Sequence, residues 1–240
     1  RYVFECKKDG VRAFLAYTKS GIALRNRDNI DITARYPELQ GIKFEFDVLL
    51  DGEIVLEKNG KCDFSNLMSR EHLKDKFKIS LMSKRNPVKF YAFDILFLDS
   101  NPIYREGLLK RKAVLDGLTA QNNGNFEVLP YLNDLNEALE LYKDEEGIIA
   151  KEIDSTYLFN TRSDKWLKHK RHIEKLVRFD KYESNPDNSI TLTNGFHRVK
   201  CNNLLAKAKI DDKGFVDCEV TGLEFTESQH IRQPIIKRVV

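Results

Sequence analysis

No apolar run in this 240-residue chain approaches the ~20 residues that a membrane-spanning helix needs, and its first residues lack the charged-then-apolar pattern of a secretion signal. An intracellular protein is therefore expected, in cytoplasm or nucleoid, or in the nucleus of a eukaryote, with no membrane partner. Cysteine is sparse: Cys6, Cys62, Cys201 and Cys218 form no Cys-x-x-Cys pair, which argues against both a structural zinc site and a disulfide framework. Charge of one sign is not in excess either. Forty Lys and Arg face thirty-seven Asp and Glu, a net of +3, so any nucleic-acid surface has to come from local clustering. Internal repeats and low-complexity tracts are absent.

What is present suits a folded chain of one or two domains, with 41% hydrophobic and 32% charged residues. The first half alternates β-rich runs with turns: Tyr2–Cys6, Arg12–Tyr17, Gly21–Leu24, Phe44–Leu50, Glu53–Glu57 and Val88–Phe97 read as antiparallel strands. Asp51-Gly52 and Asn59-Gly60 fall between runs, and Asn-Gly is a strong tight-hairpin signal. Apolar spacing predicts helices over Ile32–Leu39, Phe64–Leu73, Gly107–Leu118 and Asn133–Lys143, with Asp63 and Asn133 as N-caps. After about residue 173 the pattern turns all-β, with short strands expected at Lys175–Phe179, Ser189–Thr193, Arg198–Lys200, Leu204–Ile210 and Val216–Leu223. The reading is an α+β domain over 1–173 and a small all-β barrel over 174–240.

The chemistry concentrates in short segments. Glu5-Cys6-Lys7-Lys8-Asp9-Gly10-Val11-Arg12 sets a lysine beside further cations, a carboxylate and a glycine. A lysine is a nucleophile only when its amine is neutral, and neighbouring charge or burial can arrange that. Asp51-Gly52-Glu53 places Glu53 at a turn entering a strand, within reach of a ribose hydroxyl or metal-bound water. In Phe90–Leu96, period-2 alternation puts Tyr91, Phe93 and Ile95 on one face. Glu146 and Lys151 bracket an apolar run at opposite parity, so a strand separates them unless Gly147 bends. Lys168 and Lys170, two apart on an extended strand, point to one side and suit a polyphosphate. From Arg162 to Arg178 seven basic residues outweigh Asp164 and Glu174, forming a positive stripe suited to phosphates.

In this order the segments resemble the covalent nucleotidyltransferases, and most closely the ATP-dependent DNA ligases. Lys7-Lys8-Asp9-Gly10 matches the family's Lys-x-Asp-Gly, with Lys7 in the nucleophile's place; Lys8 stands where the family usually has an apolar or aromatic residue, and its own claim as nucleophile stays open. Asn26-Arg27-Asp28-Asn29, Asp51-Gly52-Glu53, Phe93, Glu146-Gly147-x-x-x-Lys151, the Lys168/Lys170 pair and Ile231-Arg232-Gln233-Pro234 with Lys237 and Arg238 resemble the motifs that follow. The resemblance implies an antiparallel-sheet nucleotidyltransferase (adenylation) domain followed by an OB-fold domain. It implies a nucleotide site of Glu5, Lys7, Arg12, Arg27, Glu53, Phe93, Lys151, Lys168 and Lys170, with Arg232, Lys237 and Arg238 supplied by the second domain. Catalysis would fall to Lys7, Arg12, Arg27, Lys151, Lys168 and Lys170, with Arg27 near a nick's 5′-phosphate and Lys151 near the α-phosphate. Glu53 and Glu146 would hold Mg²⁺, or Mn²⁺ in its place.

The resemblance further implies ATP as donor, a covalent AMP intermediate, nicked double-stranded DNA as partner, a monomer, and a hinge near Arg171–Lys175. The four-cysteine zinc element and nicotinamide-binding domain of NAD-dependent ligases are not visible. Nor is an N-terminal DNA-binding domain, so DNA is expected to be clasped by the two domains, by the basic Lys74–Arg85 region or the polar Glu183–Asn194 loop, or by a recruiting protein. Gly60–Leu67 and Asn160–Ser163 resemble, more loosely, ligase domains of bacterial end-joining enzymes and of compact archaeal or viral ligases. The competing readings are an RNA ligase, an mRNA-capping guanylyltransferase, and a non-catalytic nucleic-acid-binding module of the same fold.

Overall fold

The computed structural model describes residues 1–118, 120–121, 124–161, 163–202, 204–223 and 230–240. The chain divides into two compact units, Arg1–His169 and Lys170–Val240.

The first unit is built on two main sheets, with a further two-stranded pair of Lys43–Phe44 and Ala120–Gln121. The larger has seven strands, of which five lie in the order Phe126–Val128, Val88–Leu98, Val48–Lys58, Val11–Thr18 and Gly21–Asn26, while Lys61–Cys62 and Asn101–Pro102 pair off this path with Val48–Lys58 and Val88–Leu98. All pairs are antiparallel except Phe126–Val128 on Val88–Leu98, which is parallel. The smaller sheet runs Tyr131–Leu132, Tyr2–Cys6, Gly147–Glu152 and Trp166–Lys170. Period-2 alternation sends Val48, Leu50, Ile54 and Leu56 into the main core with Ala13, Leu15, Phe90 and Leu115. The opposite parity of the central strand carries Asp51, Glu53, Val55 and Glu57. Val55 there joins Cys6, Tyr91, Phe93 and Leu129 in a second buried cluster that includes residues of both sheets.

Three expectations change here. Asp51-Gly52 is no turn: it lies inside the single eleven-residue strand Val48–Lys58, because Gly52 packs under the Phe90 ring, whose atoms would lie 2.5 Å from a Cβ at that position. The pairing of Val48–Lys58 with Val88–Leu98 shifts register between Asp51 and Gly52, which pair with Asp94 and Ala92. Phe93 is the extra residue of that bulge, and the parity resets after it. Tyr91 and Phe93 therefore share one cluster while Ile95 enters the main core. The expected Ile32–Leu39 helix is a pair of 3₁₀ turns, Thr33–Arg35 and Pro37–Gly41, broken where Pro37 removes an N–H donor.

Helices cover Phe64–Glu71, Lys76–Arg85, Leu108–Asp116 and Leu135–Leu141. Asp63 caps the first through Asn66 N–H at 3.1 Å. The cap of the last is Asp134, bonded to Glu137 N–H at 2.8 Å, in place of Asn133. The basic Lys74–Arg85 region is largely helix, started by Asp75, and Glu183–Asn194 is a hairpin joining Lys181–Ser184 to Ile190–Thr193. Asn59 and Gly60 form the expected tight turn with φ of 53° and 76°.

The second unit holds two three-stranded antiparallel sheets: Ile173–Phe179, Val216–Gly222 and Ile235–Val239, and Lys181–Ser184, Ile190–Thr193 and Arg198–Cys201. They share a core of Val177, Phe179, Leu192, Val199, Cys218 and Val220. Leu204–Ile210, expected as a strand, lies in the helix Leu204–Lys213. Ala206 and Ile210 are both buried; being four apart, they fit a helical face as well as strand alternation, and the Leu, Ala and Lys around them favour helix.

Candidate active site

Lys7 lies one residue beyond the end of the Tyr2–Cys6 strand, and its backbone N–H bonds Gly147 O at 2.9 Å. That bond brings Glu146, just ahead of the neighbouring strand, to Lys7, and the two side chains form an ion pair. Gly10, at the end of the same loop, allows close approach: a Cβ there would lie 2.3 Å from Ile54 O and 2.8 Å from Glu53 Cγ. The loop is thereby pressed onto the strand that carries Glu53. Lys8 is held elsewhere, by Glu145 at 3.0 Å and Glu57 at 3.4 Å, with its ammonium 5.0 Å from the Tyr91 ring centre. Burial disfavours its charge, but Glu145 together with other nearby groups outweighs this and leaves its proton affinity raised. Lys8 is thus engaged away from Glu146, the partner of Lys7.

Glu53 is only partly exposed, and the surrounding protein desolvates its carboxyl. That desolvation pushes its carboxyl up to about 8, against the pull of Lys7 and with a further push from Asp51. Among the described residues no group hydrogen-bonds it. Opposite Glu53 in register stands Arg12, whose guanidinium grips Asp51 with Nε–Oδ1 at 3.0 Å and Nη2–Oδ2 at 2.6 Å. Tyr157 completes this group, its hydroxyl 2.6 Å from Asp51 Oδ2 and 3.0 Å from Arg12 Nη2. Arg12 and Arg27 both line two cavities of about 570 and 470 Å³; Lys168 lines the smaller one. Arg27 reaches them from a turn fixed by Asn26 Oδ1, which accepts from the N–H groups of Asp28 and Ile30 at 3.0 and 2.9 Å.

Lys151 and Glu5 form a separate, fully buried group. The Glu5 carboxylate takes Lys112 on Oε1 at 2.5 Å and Lys151 on Oε2 at 2.7 Å. Burial alone would raise its proton affinity, but the two ammonium groups together hold it below the usual carboxylate range. Burial lowers that of Lys151, whose ammonium sits 4.0 Å from the Trp166 ring centre and 4.5 Å from that of Phe93. Beside it Asp94 is gripped through both oxygens by Arg111 at 2.7 and 2.9 Å. The two ends of the Glu146–Lys151 run thus serve different clusters. Sequence reasoning missed Asp51, Lys112, Trp166 and Tyr157. Lys112 carried a signal, since in the Leu108–Asp116 helix it lies on the buried face with Leu108, Arg111 and Leu115.

The positive stripe is thinner than its composition: Lys165 pairs with Glu152 at 2.9 Å and Arg178 with Asp217 through two bonds of 2.8 and 2.7 Å. Arg162 lies outside the described residues. In the second unit Lys237 pairs with Glu174 at 2.6 Å and Arg238 with Glu219 at 3.4 Å, while Arg232 is partly buried just ahead of their strand. No helix is long and apolar enough to cross a membrane among the described residues.

An antiparallel core that presents a lysine between carboxylates, followed by a small β-rich unit, has the architecture of the nucleotidyltransferase and OB-fold class. Residues 1–170 match the ATP-dependent DNA ligase domain family. The chain is 31% identical over 177 residues to the prophage-derived DNA ligase-like protein LigB of Bacillus subtilis, covering 70% of this chain and 60% of that protein. It is 31% identical over 177 residues to the multifunctional non-homologous end joining protein LigD of Mycolicibacterium smegmatis, covering 71% of this chain and 21% of that one. The chain thus corresponds to only part of the length of these relatives. In three dimensions it resembles a mycobacterial DNA ligase D complexed with ATP and MES, at 22% identity and a TM-score of 0.59, over 100% of this chain and 89% of the other. It also resembles a Lig E DNA ligase, at 19% identity and a TM-score of 0.69, over 100% and 92%. This chain belongs to the ATP-dependent DNA ligase domain family.

Proposed function

We propose that this protein joins DNA: Lys7 attacks the α-phosphorus of ATP, pyrophosphate leaves, and the AMP passes from the lysine to the 5′-phosphate of a nick. The nick's 3′-hydroxyl then displaces AMP and closes the strand. The observation that carries this reading is the Lys7–Glu146 pair beside a Glu53 carboxyl whose ionisation responds to Lys7, with Lys8 bound to other partners. Glu146 holds the Lys7 side chain in place, and the amine attacks as the neutral base after its proton has passed to solvent. The residues fit Mg²⁺: Glu53 and Glu146 are hard oxygen donors, the Glu53 carboxyl has no hydrogen-bond partner among the described residues, and two carboxylates plus substrate phosphates are a usual magnesium set. When bound, the ion would compensate charge on the phosphates.

Phe93 offers its ring to the adenine. Arg12 and Arg27, on the shared cavity wall, hold the 5′-phosphate, and Lys168 and Lys170 offset triphosphate charge. Residues 1–173 act as the adenylation domain and 174–240 as the OB domain, whose Arg232, Lys237 and Arg238 orient the leaving pyrophosphate, Lys237 and Arg238 after exchanging their present carboxylate partners for it. The substrate is nicked duplex DNA and the protein acts as a monomer. Incubation with ATP and Mg²⁺, read by intact-protein mass, should show one added AMP, absent in K7A and retained in K8A. A chain that stays unmodified with ATP, or is modified with GTP instead, overturns this reading. Sealing of a nicked DNA duplex but not its RNA counterpart completes it.

A further inference from the structure

The Arg12 guanidinium has five N–H bonds, and the structure fixes where three of them go. Nε and one N–H of Nη2 bond the two oxygens of Asp51, and the other N–H of Nη2 bonds the Tyr157 hydroxyl. Among the described residues Nη1 makes no hydrogen bond. Tyr157 in turn donates its own O–H to Asp51 Oδ2 at 2.6 Å, so the three side chains form a closed ring. Asp51 and Tyr157 are buried, while 38% of the Arg12 side chain is open. Arg12, Arg27, Tyr157, Leu158 and Thr161 line both cavities.

We propose that Tyr157 is a positioning residue for recognition of the terminal 5′-phosphate, acting through Arg12. Asp51 by itself leaves the second Nη2 N–H unassigned and open to competing acceptors. The Tyr157 hydroxyl occupies that N–H, so that Nη1 is what is left to a ligand, on a residue that lines both cavities with Arg27. The ring hydroxyl suits this task because one oxygen accepts from a cation and donates to an anion at once, and its hydrogen has a single free torsion.

The inference rests on the assignment of the 5′-phosphate to Arg12 and Arg27. The test uses the whole chain and nicked duplexes that differ only in a 5′-phosphate or a 5′-hydroxyl, with binding read by fluorescence anisotropy for the unsubstituted protein, Y157F, R12A and the double variant. Y157F removes one oxygen and leaves both Asp51–Arg12 bonds, and Trp166 fluorescence reports its folding. The expected result is a loss of about tenfold in the preference for the phosphorylated nick, the size of one misdirected charged hydrogen bond. In the R12A background the tyrosine substitution should add less than about twofold. Unchanged preference in Y157F, equal weakening for both nicks, or a full additional loss on top of R12A would each refute the proposal. Unsubstituted protein that binds both nicks equally overturns the phosphate assignment and this inference together, whereas covalent labelling of Lys7 reports nucleotidyl transfer separately.

Discussion

The cluster around Glu5 gives opposite predictions for removing an anion and removing a cation. Glu5 and Asp94 contribute two buried negative charges; Arg111, Lys112 and Lys151 contribute three positive ones, every member being at most 1% exposed. The group carries one cation too many. Replacing Glu5 by Gln leaves two ammonium groups sharing an amide, and uncompensated buried charge of this kind costs about 3–5 kcal/mol. Replacing Lys112 by Met removes the surplus instead, leaving Glu5 with Lys151 at 2.7 Å. Methionine fills the lysine stem's volume, so K112M should lie within about 1 kcal/mol of the unsubstituted protein on either side.

Urea unfolding followed by the fluorescence of Trp166, the sole tryptophan, reports this unit directly, because the ring lies 4.0 Å from the Lys151 ammonium. With a slope of about 2 kcal/mol/M, the two variants should differ in midpoint by roughly 1 M or more. A K112M midpoint as low as that of E5Q would show that the second ammonium is required and that the charge count is wrong.

Three other outcomes follow from the geometry. Glu53, held at about 8 when folded, stays protonated over a range where the unfolded chain has already ionised. Its stability cost is therefore absent below about pH 4.5, grows as pH rises and levels off above about pH 8. E53Q should match the unsubstituted protein in thermal melts near pH 4.5 and exceed it by about 2 kcal/mol near pH 9, the open side of the carboxyl reducing the full linkage value; equal stability at both pH values would refute the desolvation argument. G10A should lower both stability, by about 1–3 kcal/mol, and the yield of AMP-modified protein, since its Cβ would meet Ile54 O at 2.3 Å; full activity would mean that the Lys7 loop is not pressed on that strand. K8A should retain AMP labelling, because Lys8 is engaged by Glu145 and Glu57; loss of labelling in K8A with retention in K7A would exchange their roles.

The meeting of Lys7 and Glu146 was legible because both sit at strand ends, where motif spacing and backbone geometry coincide, and Tyr2–Cys6 pairs with Gly147–Glu152. Glu53 lies inside the strand Val48–Lys58 and meets the Lys7 loop through the close approach of Gly10. Alternation placed Tyr91 and Phe93 correctly. It failed at Ile95, since a bulge is set by how two strands register and leaves no period in one of them. The Asp51-Gly52 turn failed for a related reason: the glycine serves a cross-strand ring, Phe90, and a turn signal cannot be told from a packing requirement without knowing the neighbour. Leu204–Ile210 failed because residues four apart satisfy both periods.

The residues that were missed share a property. Asp51, Lys112 and Tyr157 each act by holding another side chain, at sequence separations of 39, 107 and 145 residues for the pairs with Arg12, Glu5 and Arg12. Spacing within a motif describes groups that meet the substrate side by side, whereas a supporting group can come from any element the fold brings near. Lys112 was nevertheless within reach of the sequence. A lysine on the apolar face of a helix needs a buried carboxylate, and of the acidic residues in the predicted strands Glu5 is on an early, β-rich run beside the proposed nucleophile. The disagreement between a residue's charge and the face it occupies is the sequence-level trace of a supporting residue, and in this chain it points to the cluster whose charge balance the E5Q and K112M midpoints measure.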